Sequence, residues 1–181
     1  MKRIMISLLC VISAGQLMAQ KYFTRNANVS FYSKTSAETI EAQNNQVLAV
    51  INVPAREVAF NLLVKGFLFQ KQLMQDHFNE EVIESDKYPK ASFTGKIMEE
   101  VDLSKPGIYK VHVNGNLSMH GVTKPVTTEA TLTTDVNGIK GFSVFKINYD
   151  DYHIKLPALL KNTISPTIAI TVKIDAKPMA K

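Results

Sequence analysis

Four histidines, a cluster of carboxylates and one serine beside a histidine are the residues of this sequence whose types could do chemistry. His77, His112, His120 and His153 would aim two imidazoles at one ion if a pair stood four apart on a helix or two apart on a strand. No pair does, so no metal site and no cofactor are expected. Asp76, Glu80, Glu81, Glu84 and Asp86 crowd one stretch. Paired carboxylates can share acid and base work, but these flank a short helix and turn, where a solvated face is the simpler reading. Ser118 and His120 share one face of a strand, yet no G-x-S-x-G context presents the serine as a nucleophile. The chain reads as a binder and not as an enzyme.

What remains is a large amount of apolar side chain facing one way. Phe60, Leu62, Phe67, Phe69, Phe93, Ile97, Tyr109, Val111, Val113, Leu117, Met119, Phe145 and Ile170 carry it, with Phe31 beside them. These residues form a core if the space between them is filled, and a ligand lining if it is not. The pattern alone leaves both readings open.

The elements that must position these side chains are almost all β-strands. Asn28 to Lys34 alternates with period two. Glu38 to Gln43 and Val47 to Val53 flank Asn44-Asn45, which reads as a hairpin turn. Pro54 ends that run, and alternation resumes from Val58 to Val64. Between Lys71 and Glu81 the period changes, with Leu73, Met74, His77 and Phe78 on one face of a short helix that would brace or seal the sheet. Ala91 to Met98 is a strand, Lys105-Pro106-Gly107 a turn, and Ile108 to His120 the longest strand. Gly121 to Pro125 reads as a turn before the strand Val126 to Val136.

Asn137-Gly138 is the strongest two-residue hairpin signal in the chain. From Ile139 to Tyr149 the apolar parity slips between Phe142, Val144 and Phe145, which predicts a bulge. Asp150 to Pro166 is irregular, and Thr167 to Ala176 is the last strand. About eight antiparallel strands with one short helix make an all-β sandwich or barrel. An eight-stranded barrel is either filled by side chains or holds one small ligand.

The chain of 181 residues is long enough for one domain that buries roughly 70% of its extended surface. Residues 1–19 differ from the rest: Lys2 and Arg3 precede an apolar run from Ile4 to Ile12, and small residues lead to Ala19. This is a secretory signal pattern, too short to span a membrane. Cleavage after Ala19 is expected, although a cut after Gly15 also fits, and residues 20–181 form the mature domain. The destination is then the periplasm or the outside of the cell. Cys10, the only cysteine, lies inside the run, so no thiol chemistry is left after cleavage. Without Lys2 and Arg3, 19 basic residues face 16 acidic ones, a balance of +3. The lysines are scattered, which argues against a nucleic-acid partner.

Two stretches carry a family resemblance: LMQDHFNEEVIESDKYPKASFTGKI, from Leu73 to Ile97, and GNLSMHGVTKPVT, from Gly115 to Thr127. His77, Phe78, Tyr88, Pro89, Phe93 and Gly95 carry the first match. Gly115, Leu117, His120, Gly121, Val122, Thr123, Lys124 and Pro125 carry the second. The chain resembles the YceI-like family of secreted bacterial proteins, which implies a lipocalin-like antiparallel β-barrel with a long apolar cavity. The implied ligand is a polyisoprenoid or similar long-chain lipid, held for transport, storage or stress protection. His120 and Lys124 are then the candidates for a polar head group. A homodimer is left open. So is a filled barrel that binds a protein on its surface in place of any lipid. Where many members carry Arg-x-x-Phe-Gly, this chain reads Asn148 to Pro157 without it, which changes the expected pocket mouth.

Overall fold

A computed structural model describes residues 21–158 and 160–179. The expected signal segment lies outside the described residues. Nine strands occur in chain order: β1 (Lys21–Lys34), β2 (Thr39–Asn52), β3 (Glu57–Leu63), β4 (Leu68–Phe69), β5 (Lys90–Ile97), β6 (Gly107–Met119), β7 (Val122–Asp135), β8 (Gly138–Asn148) and β9 (Thr167–Pro178). Eight of them run β1-β9-β8-β7-β6-β5-β3-β2 and close through β1–β2 pairing, all antiparallel. The two-residue β4 only extends the edge of β2. The expected eight-stranded barrel is therefore the architecture. Its helix, α1 (Gln72–His77), continues through a wider π turn at Phe78–Val82.

The barrel twists through two compensating bulges. Between Thr24↔Ala49 and Ala27↔Val47 the extra residue is in β1, and between Ala27↔Val47 and Val29↔Asn44 it is in β2. Asn44-Asn45 is thus a bulge inside one long strand and not the expected turn. The physical reason is satisfaction within the wall. The buried Asn44 donates from Nδ2 to Leu63 O at 2.9 Å and accepts from Gln46 N at 2.8 Å, and Asn28 Nδ2 donates to Asn45 Oδ1 at 2.7 Å. The true turn lies between Lys34 and Thr39, closed by Thr35 N donating to Glu38 O.

Three other expectations change. The β6–β7 turn is only His120-Gly121, with φ of 51° and 74°, and Thr123 to Pro125 already belong to β7. Strand β8 carries no bulge, because its register with β9 is continuous from Ile139↔Ala176 to Asn148↔Thr167. The apparent parity slip arises because Phe142 and Val144 point outward, at 48% and 49% exposure. The hairpin expected at Asn137-Gly138 forms one residue earlier, because Gly138 already pairs with Asp135 and leaves Val136-Asn137 as its two-residue loop. A Cβ at Gly138 would strike Ala176 O, so only glycine fits there.

Buried side chains fall into two groups along the barrel axis. At one end Ile51, Val58, Ile97, Val111, Leu132 and Ile139 pack with Leu103, which enters from the β5–β6 connection. Tyr109 pins that connection, its hydroxyl reaching Asp102 O and Lys105 O at 3.0 Å each. At the other end Val29, Val47, Val64, Phe67, Ile83, Tyr152 and Ile154 are buried around partly buried aromatic side chains.

Candidate functional site

The second end is hollow. A cavity of about 280 Å³ runs inside the barrel from Ile51, Val58 and Val113 up to α1 and to Tyr149, Ile154, Leu156, Leu160 and Ile164. One water-sized sphere needs only about 10–15 Å³ on this measure, so the space is far more than a packing defect. Alternation explains its apolar wall. Each strand sends every second side chain inward, so Phe60 and Leu62, Phe93, Val113 and Leu117, and Phe145 and Ile147 face one another across it.

Glycines shape one side of this wall. Gly95 and Gly115 pair across β5 and β6, and the Phe93 ring lies over both. A Cβ on Gly115 would come within 2.6 Å of Gly95 Cα and of Phe93 Cζ, so any side chain there would displace the ring. The mouth is covered by aromatic side chains. Phe31 on β1 meets Phe67, Phe69 and Phe78 with ring centroids 5.2, 5.7 and 5.5 Å apart. Phe78 and Met74 turn the helix toward the cavity, as the helical period predicts. Leu73 departs from the expected sealing face and is 66% exposed.

Of the side chains picked out by alternation, Phe60, Leu62, Phe67, Phe69, Phe93, Val113, Leu117, Met119, Phe145 and Ile170 line the cavity. Ile97, Val111 and Tyr109 share their inward parity but lie in or against the filled end. Reasoning from periodicity misses the contribution of the irregular segment, where Tyr149, Ile154, Leu156, Leu160 and Ile164 also reach the cavity. The only signal for them was recurrent apolar residues in a stretch without period.

The two head-group candidates sit differently. His120 is buried: Nδ1 lies 3.0 Å from Tyr152 O and Nε2 lies 3.0 Å from Glu84 Oε2. A carbonyl oxygen only accepts, so Nδ1 carries a proton. Both ring nitrogens are engaged, and the Tyr88 ring covers the imidazole at 4.2 Å between centroids. Gly121 is required beside it, because its φ is positive and a Cβ would lie 2.9 Å from Tyr88 Cε1. His120 therefore ties the β6–β7 turn to the acidic turn and to the segment after β8. Glu84 is accordingly more than a solvated charge, and it adopts a positive φ of 48°. Burial, then Asp151, pushes the Tyr152 hydroxyl above its ordinary range. The Ser118 hydroxyl instead meets Thr123 Oγ1 at 2.7 Å.

Lys124 is exposed although it pairs with the inward-facing Leu117. The wall opens beside it. Pairing between β7 and β8 runs only from Asp135↔Gly138 to Ala130↔Ser143, whereas β6–β7 pairing continues to Met119↔Val122. Counting from the two-residue turn, Pro125 falls at a non-hydrogen-bonded pair with Asn116, so its missing N–H lies on the β8 side. Where the strands part, Thr128 Oγ1 and Ser143 Oγ meet at 2.8 Å, and Ser143 donates to Glu129 O at 2.7 Å. The described cavity wall contains Glu38 and His77 but no lysine or arginine.

A closed antiparallel barrel, hollow at one end and lined by hydrocarbon, defines a lipocalin-like class of binding fold. Residues 21–176 match the YceI-like domain, and the chain belongs to that family. A UPF0312 protein of Pseudomonas putida (strain GB-1) is 30% identical over 96 residues, and that match spans 50% of this chain and 47% of the relative. Among solved structures, a polyisoprenoid binding domain from Saccharophagus degradans, implicated in plant cell wall breakdown, aligns with a TM-score of 0.74 at 16% identity. It covers 89% of this chain and 99% of that one. Burkholderia cenocepacia BcnA aligns at 0.70 with 18% identity, covering 81% and 94%. The Campylobacter jejuni YCEI protein aligns at 0.57 with 17% identity, covering 100% and 91%. At these identities the likeness is one of fold.

Proposed function

We propose that the protein is a periplasmic or secreted carrier that holds a polyisoprenoid or similar long-chain lipid in this cavity, without catalysing its conversion. Its role is transport, storage or protection of that lipid. The observation that carries the reading is the unfilled, hydrocarbon-lined half of the barrel. It favours a carrier over a filled barrel that works only through its surface.

Each prenyl unit brings five carbons, an upper value of about 4 kcal/mol at about 0.8 kcal/mol per buried CH₂, offset by the ordering of the chain. Few polar contacts are then needed. We assign a head-group contact to Lys124, which is exposed, in preference to His120, which is already engaged by Glu84 and Tyr152.

The test is uptake of a fluorescent prenyl probe together with native mass spectrometry of protein purified from its own cells. Leu117→Trp places an indole in the cavity and is expected to lower probe uptake at least tenfold while the barrel stays folded. Undiminished uptake by a folded Leu117→Trp protein, or no uptake and no co-purifying lipid in the wild type, would overturn the carrier reading.

A further inference from the structure

We propose that the outer face of β8 and β9 docks on an anionic lipid surface, and that the unpaired gap between β7 and β8 beside it passes hydrocarbon chains to and from the cavity. The docking part stands on surface chemistry alone, and the passage part rests on the carrier reading.

Cross-strand register places the residues of this face. Phe142 pairs with Lys173, Val144 with Thr171, Lys140 with Asp175 and Lys146 with Ala169, so these side chains share the outward side. Phe142 and Val144 are both about half exposed, and Lys140, Lys146 and Lys173 are exposed around them. Among the described residues none of these three lysines forms an ion pair, whereas the nearby acid Asp175 is engaged by Lys177 at 3.0 Å. Glu129, across the gap on β7, lies 3.6 Å from His112. An aromatic and a branched aliphatic side chain ringed by unpaired lysines complement an anionic membrane surface: the apolar pair enters the head-group boundary and the lysines meet lipid phosphates.

The gap adjoins this face. Beyond Ala130↔Ser143 the backbone ladder between β7 and β8 stops, only the Thr128 and Ser143 side chains bridge the two strands there, and Pro125 holds no donor with which to extend the ladder. The cavity wall reaches the fork, since Thr128 and Ser143 line it. The exposed Lys124, paired with Leu117, marks the other border of the fork. Above it the Tyr149–Tyr152 turn packs on both β7 and β8. The fork thus lies between Lys124 and the Tyr149–Tyr152 turn, next to Val144 on β8.

Sedimentation with vesicles of phosphatidylcholine, with and without phosphatidylglycerol, tests the docking. Wild-type protein is expected to bind only the anionic vesicles and to release them in high salt. Each lysine near such a surface contributes about fivefold, so the triple variant Lys140→Gln/Lys146→Gln/Lys173→Gln should weaken partition about a hundredfold at most. The double variant Phe142→Ser/Val144→Ser should weaken it about tenfold or more. Probe uptake from vesicles should slow in both, with uptake from cyclodextrin unchanged.

Wild-type binding that ignores lipid charge, or variants that bind as well as wild type, would overturn the docking. A concentration-dependent dimer lost in the Phe142→Ser/Val144→Ser variant would place a second copy on this face and overturn it equally. Normal vesicle binding with uptake unaltered in the variants would overturn the passage through the gap. Failure of wild type to take up probe from cyclodextrin would sink the carrier reading and the passage with it, while the vesicle binding would still decide the docking.

Discussion

At the level of Ile97, Val111 and Ile139 the barrel is packed solid, while at the level of Phe60, Leu117 and Ile170 the same strands enclose space. Two things differ between these levels. At the filled end a connection dips inside, carrying Leu103 into the centre, and β7 and β8 are fully zipped. At the hollow end the covering elements lie over the rim, and the wall parts between β7 and β8. Filling and closure go together: where the interior supplies contacts for every inward side chain the wall is continuous, and where it does not the wall is held by ties such as that of His120.

The sharpest way to break this contrast is to truncate one side chain at each level. Ile139→Ala, at 0% exposure, should cost about 2–5 kcal/mol in urea unfolding, since it removes transfer energy and leaves a cavity in a dense core. Leu117→Ala should cost under about 2 kcal/mol, because that side chain already lacks neighbours on its cavity side. Equal losses would mean the two ends are packed alike. Next in size, His120→Ala removes the tie of the hollow end and leaves Tyr152 O without its donor, a loss of about 1–3 kcal/mol by the same measurement. A change within error would show that the hollow end holds its shape without that tie.

The smallest effect concerns the exposed pair on the outside of the wall. Glu99 raises the His112 imidazole above its ordinary value near 6.5, chiefly by a side-chain hydrogen bond, and the same bond lowers Glu99 below 4.5. A raised histidine contributes fully below its unfolded value and less as pH rises through the folded one. A lowered carboxylate contributes fully above its unfolded value and less as pH falls through the folded one. The difference in Tm between wild type and Glu99→Gln should therefore be greatest at about pH 5–6 and shrink on either side. A difference that keeps growing above that window would assign the effect to something other than this pair.

Much of the barrel is legible in the alternation of β6 and β9 and in the change of period at α1. Parity, however, says only whether a side chain points in or out. Val111 and Leu117 have identical parity, yet six residues at about 3.3 Å each separate a filled level from a hollow one. That is why Ile97, Tyr109 and Val111 resemble lining residues in the sequence and are not. Asn44-Asn45 resembles a turn because asparagine tolerates turn geometry, but the buried amide of Asn44 serves a bulge equally well. The role of Glu84 was hidden for another reason: its partner His120 stands far along the chain, and only closure of the barrel brings them together.

Pro125 has a consequence beyond the opening it borders. Barrels are spared the fate of open sheets because they leave no free strand edge on which a second chain can build, and parting β7 from β8 recreates such an edge. A proline in the middle of that edge and an exposed lysine beside it are both known deterrents to strand addition. The barrel can therefore stay open on one side without seeding aggregates of itself.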